Sequence, residues 1–126
     1  MDTEQEKKAW REVRYTKKFS NAFRGMHVFM KTTRDLPVFA LAIAAVVFLG
    51  FYFHVSNPEW IALVFSMGFV IVSELFNTAI EIDIDLTSPQ YHPYARDTKD
   101  VAAGAVLLSA LTAVVVGLIV FLPKIL

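Results

Sequence analysis

The chain has 126 residues, 56% of them hydrophobic and 19% charged, and its twelve basic and twelve acidic side chains balance to a formal net charge of zero. That is the length of one domain, and it is too apolar, in blocks too long, for a soluble one. With no cysteine in the sequence, disulfides, thiolate nucleophiles and cysteine-ligated zinc are excluded.

The balanced charge hides an asymmetry: nine of the twelve lysines and arginines fall within the first 34 positions. No apolar core follows a short basic start, so a cleaved signal peptide is not expected. Residues 8–31 read as one helix. Phe19, Phe23, Met26 and Met30 recur at helical spacing between Arg14, Lys17, Lys18, Arg24 and Lys31, the pattern of an amphipathic helix lying in a membrane interface. A basic nucleic-acid patch is a weaker reading of the same charges.

Residues 36–56 carry no charge and are long enough for a first membrane span, with Pro37 in its first turn, where proline is tolerated. His54, Ser56, Asn57 and Pro58 make a turn. Trp60 opens a second span, 59–84, at the depth where tryptophan anchors to headgroups. Residues 85–98, punctuated by Pro89 and Pro93, form a loop, and Asp97 or Thr98 is expected to cap the third helix. The third span covers 99–122. Within it Ala105, Ser109, Ala113 and Gly117 repeat every four residues, and small side chains at that spacing favour close helix packing. The expected fold is therefore all-α: an N-terminal amphipathic surface helix and three transmembrane helices in a single membrane domain. The basic residues put the N-terminus and the 85–98 loop on the cytoplasmic side.

The second span ends in ELFNTAIEIDID. Glu74, Asn77, Glu81 and Asp85 are spaced i, i+3, i+7, i+11 and share one helical stripe roughly 80° wide. A carboxylate in hydrocarbon costs about 2.5 to 3.5 kcal/mol even on mild scales, so a stripe of three with an amide among them points to a polar site for metal, phosphate or proton. Glu74 lies about 21 Å from Trp60 and Glu81 about 31 Å, toward the cytoplasmic face, where ATP is available. Carboxylates, a lysine and an arginine at that boundary suit phosphoryl transfer to a lipid. One carboxylate can accept a proton from a hydroxyl, another can hold Mg²⁺ together with phosphate oxygens, and a lysine can neutralise phosphate charge. Lys99, expected at the start of a helix, lies beside backbone N–H groups that favour anions. No P-loop or protein-kinase signature is present.

The residues ELFNTAIEIDID, followed by YHPYARDTKDVAAGAVL, resemble the signature of the prokaryotic diacylglycerol kinase family, which includes the undecaprenol kinases. The resemblance extends over nearly the whole chain. It implies a small integral membrane kinase, working as a homotrimer in the bacterial inner membrane, that uses Mg²⁺ and ATP to phosphorylate a lipid alcohol. Carried over, Glu74 is the general base, Glu81 a ligand of the ATP-bound metal, and Asn77 its support. Tyr91, His92, Lys99 and Asp100 contact the nucleotide, as do Arg14 and Asn21 of the surface helix. The AAGAVL run and the YHP loop are closer to the undecaprenol kinase branch.

One position departs from the family pattern. A second metal-binding glutamate is expected eight residues after Gly25, and Thr33 stands there. A threonine hydroxyl can ligate Mg²⁺, more weakly than a carboxylate. Asp35 lies about 200° around the helix and is a poor substitute. The expectation is an active enzyme with a raised Mg²⁺ requirement, the alternatives being an inactive relative or a structural membrane subunit. A structural subunit would have no need of Lys99 and Asp100 opposite the stripe. An ion-coupled transporter would place its carboxylates nearer the midplane and use more spans.

Overall fold

The computed structural model describes residues 3–11 and 15–126, and the side chains of residues 9–11, 15 and 16 lie outside that description. All the regular structure in it is α-helical: α1 Glu4–Arg11, α2 Tyr15–Thr32, α3 Leu36–Tyr52, α4 Asn57–Thr87 and α5 Pro93–Ile125. The described residues up to Thr32 form one compact unit and Thr33–Leu126 a second.

In the first unit, α1 opens on a capping box. The Glu6 amide donates to Thr3 Oγ1 at 3.2 Å and the Thr3 amide to Glu6 Oε2 at 2.6 Å, so two donors that a helix start leaves unpaired are satisfied reciprocally. α2 accounts for residues 15–32 of the surface-helix region. Phe19, Phe23, Met26 and Met30 are all exposed on it, leaving an apolar stripe beside basic residues for the membrane interface.

In the second unit, α3 is uncharged over 17 residues, which span about 26 Å. It closes with a Schellman motif: the Val55 amide donates to Gly50 O at 3.1 Å and the His54 amide to Phe51 O at 3.3 Å. His54 takes the left-handed conformation that this motif requires, with φ of 51°. The chain then turns into α4 through another capping box, Ser56 with Glu59. Trp60 does more than mark a headgroup level. Its ring packs against Phe51 with centroids 5.0 Å apart and lies over the face of Gly50, where any added Cβ would collide with the indole.

Among the described residues, α4 and α5 are the two helices long and apolar enough in themselves to cross a membrane. Their 31 and 33 residues rise about 46 and 50 Å, well beyond a hydrocarbon core of about 30 Å. The excess carries their joined ends into water. They form an antiparallel hairpin, pinned at the far end by Lys124 Nζ on Glu59 Oε2 at 2.9 Å. Beside that pin sits the apolar core of Val55, Leu63, Val120 and Phe121, flanked by Val46, Leu49, Phe53, Trp60 and Val116. The chain is thus an all-α integral membrane protein.

Three expectations are corrected by the structure. The connection expected over 85–98 shrinks to the five residues between Thr87 and Pro93. α5 starts at Pro93 because proline is pre-shaped for the first helical position, and its cap is His92 instead of Asp97 or Thr98. His92 Nδ1 accepts the Tyr94 amide at 3.1 Å, while the Thr98 hydroxyl bonds back to Tyr94 O inside the helix at 2.7 Å. The four-residue stripe of α5 is only partly packed: Ser109 is fully buried, Ala113 and Gly117 half-buried, and Ala105 exposed. The face turned inward includes Ala102, Ser109 and Val116, a seven-residue recurrence proper to two long helices crossing at a shallow angle.

Candidate functional site

The carboxylate stripe occupies the last four turns of α4. Glu74, Asn77 and Thr78 are buried, whereas Glu81 and Asp85 are exposed. The stripe therefore grades from an enclosed acid to open ones along one helix face. Asn77 Nδ2 donates to Glu81 Oε1 at 3.1 Å, a bond one turn long that fixes both side chains. Asn77 Oδ1 is buried without a protein partner, and so is the hydroxyl of Thr33. Buried polar atoms are ordinarily paired, so each of these oxygens has unused capacity to accept a donor or ligate a cation.

Among the described residues, no three carboxylates or histidines converge to form a metal cage. The bonded Glu81 carboxylate and Asn77 amide are hard oxygen donors, of the kind that suits Mg²⁺, which takes one or two protein ligands and completes its octahedron with phosphate oxygens and water.

Where α4 and α5 leave the apolar zone, a cleft of about 280 Å³ opens between them. Asp85, Tyr91, His92, Arg96, Lys99 and Asp100 line it, with Ile84 and the connecting residues at its base. Lys99 Nζ reaches across to Asp85 Oδ1 at 2.6 Å. Arg96 Nη1 donates to the Tyr91 hydroxyl at 3.3 Å, and Arg96 Nε and Nη2 donate to Asp97 Oδ1 at 3.3 and 3.1 Å. Because His92 Nδ1 accepts the Tyr94 amide, a neutral imidazole carries its proton on Nε2 and keeps a donor to offer. The lining thus sets two cations, Arg96 and Lys99, beside two carboxylates, Asp85 and Asp100, and the ammonium and guanidinium retain donors for an anion.

Four of the anticipated nucleotide contacts, Tyr91, His92, Lys99 and Asp100, thus share one cleft. Glu74, Asn77 and Glu81 follow one another down α4. The eleven residues from Asp85 to Glu74 correspond to about 16 Å, so a ligand spanning cleft and buried acid must be elongated. Asn21 is an exposed side chain of α2, in the other unit. Arg14 lies outside the described residues. Arg96, the arginine expected at this boundary, lines the cleft, whereas the Asp85–Lys99 bond was not foreseeable from the sequence, since it depends on how α4 and α5 are paired.

His92 has a structural duty besides any ligand contact, and the two are separable. His92→Asn retains a cap acceptor, while His92→Ala loses it, at about 1 kcal/mol. Thermal unfolding in detergent should register the alanine variant and spare the asparagine one. Nucleotide affinity should fall in both, since neither offers the Nε2 donor at that reach.

The buried acid of α4 and the charged cleft thus lie toward the same end of one helical hairpin. Residues 20–121 match the family described as prokaryotic diacylglycerol kinase. The chain is 40% identical over 111 residues to the undecaprenol kinase of Bacillus subtilis (strain 168), covering 88% of this chain and 90% of that one. It is 37% identical over 109 residues to a diacylglycerol kinase of Synechocystis, covering 86% of this chain and 62% of the relative. To the diacylglycerol kinase of Escherichia coli (strain K12) it is 28% identical over 75 residues, covering 60% of this chain and 62% of that one. The chain belongs to the prokaryotic diacylglycerol kinase family, and by class it is a lipid kinase.

Proposed function

We propose that the protein transfers the γ-phosphoryl group of ATP to the hydroxyl of a membrane lipid alcohol, with undecaprenol favoured over diacylglycerol. The observation that carries the proposal is the buried Glu74 at the end of the apolar run of α4, with the bonded Asn77–Glu81 pair just beyond it. The substrate preference rests on the relative that matches along almost all of both chains, the Bacillus subtilis undecaprenol kinase.

In this reading Glu74 takes the proton of the lipid hydroxyl. The alcohol oxygen attacks the γ-phosphorus, the bond from that phosphorus to the β–γ bridging oxygen breaks, and ADP leaves with the bonding electrons. Glu81, with Asn77 bonded to it and Thr33 assigned to the same metal by the family resemblance, would hold Mg²⁺, which when bound supplies charge neutralisation on the phosphates. Lys99 balances phosphate charge from the cleft, while Tyr91, His92 and Asp100 orient the nucleotide. Arg14 and Asn21 are assigned to the nucleotide from the surface helix. The active end faces the cytoplasm, as the basic residues predict, in the bacterial inner membrane. The working unit, as the family resemblance implies, is a homotrimer, in which neighbouring subunits would help to wall the site.

Thr33 sets the metal requirement. Thr33→Glu should lower the Mg²⁺ concentration for half-maximal rate by about tenfold, because a charged ligand replaces a neutral one. An unchanged Mg²⁺ dependence would remove Thr33 from the metal site. Inactivity, the alternative raised by this substitution, finds no support in the fold or in the relatives. Reconstitution in mixed micelles with ATP and either lipid tests the proposal: phosphorylated lipid is expected, and ATP consumed without lipid product would refute it.

A further inference from the structure

The bond between Asp85 and Lys99 is the one interaction in the cleft that joins α4 to α5 through side-chain charge. Nζ and Oδ1 are 2.6 Å apart, and the two side chains are 40% and 69% exposed. Exposed pairs of this kind contribute little to folding, about 0 to 1 kcal/mol. The hairpin does not depend on it either, since the helices pack along their length and are pinned at the opposite end by Glu59 and Lys124. What the bond does fix is the lysine. Its four-carbon stem would otherwise sample many rotamers, and such freedom is lost each time a ligand captures the head. An ammonium has three donors, so Asp85 can occupy one while two remain directed at the cleft shared with Tyr91, His92, Arg96 and Asp100.

We propose that Asp85 is a positioning residue that holds the Lys99 ammonium in the α4–α5 cleft in readiness for the phosphates of a nucleoside triphosphate. This deepens the kinase reading and rests on it for the identity of the anion. Asp85 does not touch the reacting atoms, being about 16 Å along α4 from Glu74. Its loss therefore weakens a contact that the nucleotide makes before and during transfer alike, and the loss falls on KM and not on kcat.

The test uses the full chain in lipid-containing micelles and follows three readouts: ATP kinetics, equilibrium binding of a fluorescent ATP analogue, and thermal unfolding. Asp85→Ala should raise the KM for ATP and the analogue Kd about tenfold while kcat stays within about twofold. The unfolding midpoint should not move. Asp85→Glu should recover most of the affinity, since a longer carboxylate can still hold the ammonium. The exchanged pair Asp85→Lys/Lys99→Asp restores the ion pair but puts the cation on the wrong helix, and it should remain weak in binding. Unaltered affinity in Asp85→Ala, or full recovery in the exchanged pair, would overturn the proposal, the latter making the bond a simple clasp between helices. Wild-type protein that binds the analogue but transfers no phosphate would overturn the kinase reading instead, and the Asp85 series would still be decided by binding.

Discussion

Glu74→Gln is expected to abolish phosphoryl transfer, lowering kcat by about 10² to 10⁴, the usual worth of a positioned general base. The amide keeps the size of the side chain and cannot accept the hydroxyl proton. Glu74 is one of few polar groups buried in the second unit, and the exchange replaces a buried acid by a neutral group, so the fold should tolerate it. Binding of the ATP analogue should be little altered, because the cleft lies several turns away. Lost transfer with retained nucleotide binding and an intact unfolding midpoint separates a base from a structural acid. Equal loss of binding and midpoint would mean that Glu74 holds the helices together.

Lys99→Met should be the second large effect, lowering kcat/KM for ATP by about 10²-fold through loss of a cation from the phosphates. Methionine keeps much of the apolar stem and removes the charge, and the abandoned partner, Asp85, is well exposed, so little stability is at stake. The double variant Asp85→Ala/Lys99→Met should be no worse than Lys99→Met alone. That non-additivity is the signature of one residue acting through another. Independent, multiplying losses would place Asp85 in direct contact with the ligand.

The carboxylate stripe was legible in the sequence because it depends only on helical periodicity and on the cost of charge in hydrocarbon. Glu74, Asn77 and Glu81 fall on one face whatever the rest of the chain does. The membrane helices were legible too, as largely apolar runs of sufficient length. The α4–α5 connection was not. YHPYARDT looks like loop by composition, yet Pro93 and the Nδ1 of His92 begin a helix there, and a cap is a matter of geometry that composition does not carry. Nor was the packed face of α5 readable from its small residues. Ala105, Ser109, Ala113 and Gly117 line up on an isolated helix, whereas a long shallow crossing selects Ala102, Ser109 and Val116. The Asp85–Lys99 bond spans fourteen residues and exists only once the hairpin is closed. Family resemblance supplied what periodicity could not, the roles proposed for Glu74, Glu81 and Lys99. It also exposed Thr33 as a departure, to which the structure adds a buried hydroxyl without a partner.

The most direct test of the account is transfer of labelled γ-phosphate from ATP to lipid by the purified protein in detergent–lipid micelles. Undecaprenol and diacylglycerol are offered separately across a Mg²⁺ series, with Glu74→Gln in parallel. The account predicts labelled undecaprenyl phosphate that rises with Mg²⁺ and is absent from the variant, with less label on diacylglycerol. No label on either lipid at any Mg²⁺ concentration, or equal label from Glu74→Gln, would contradict it.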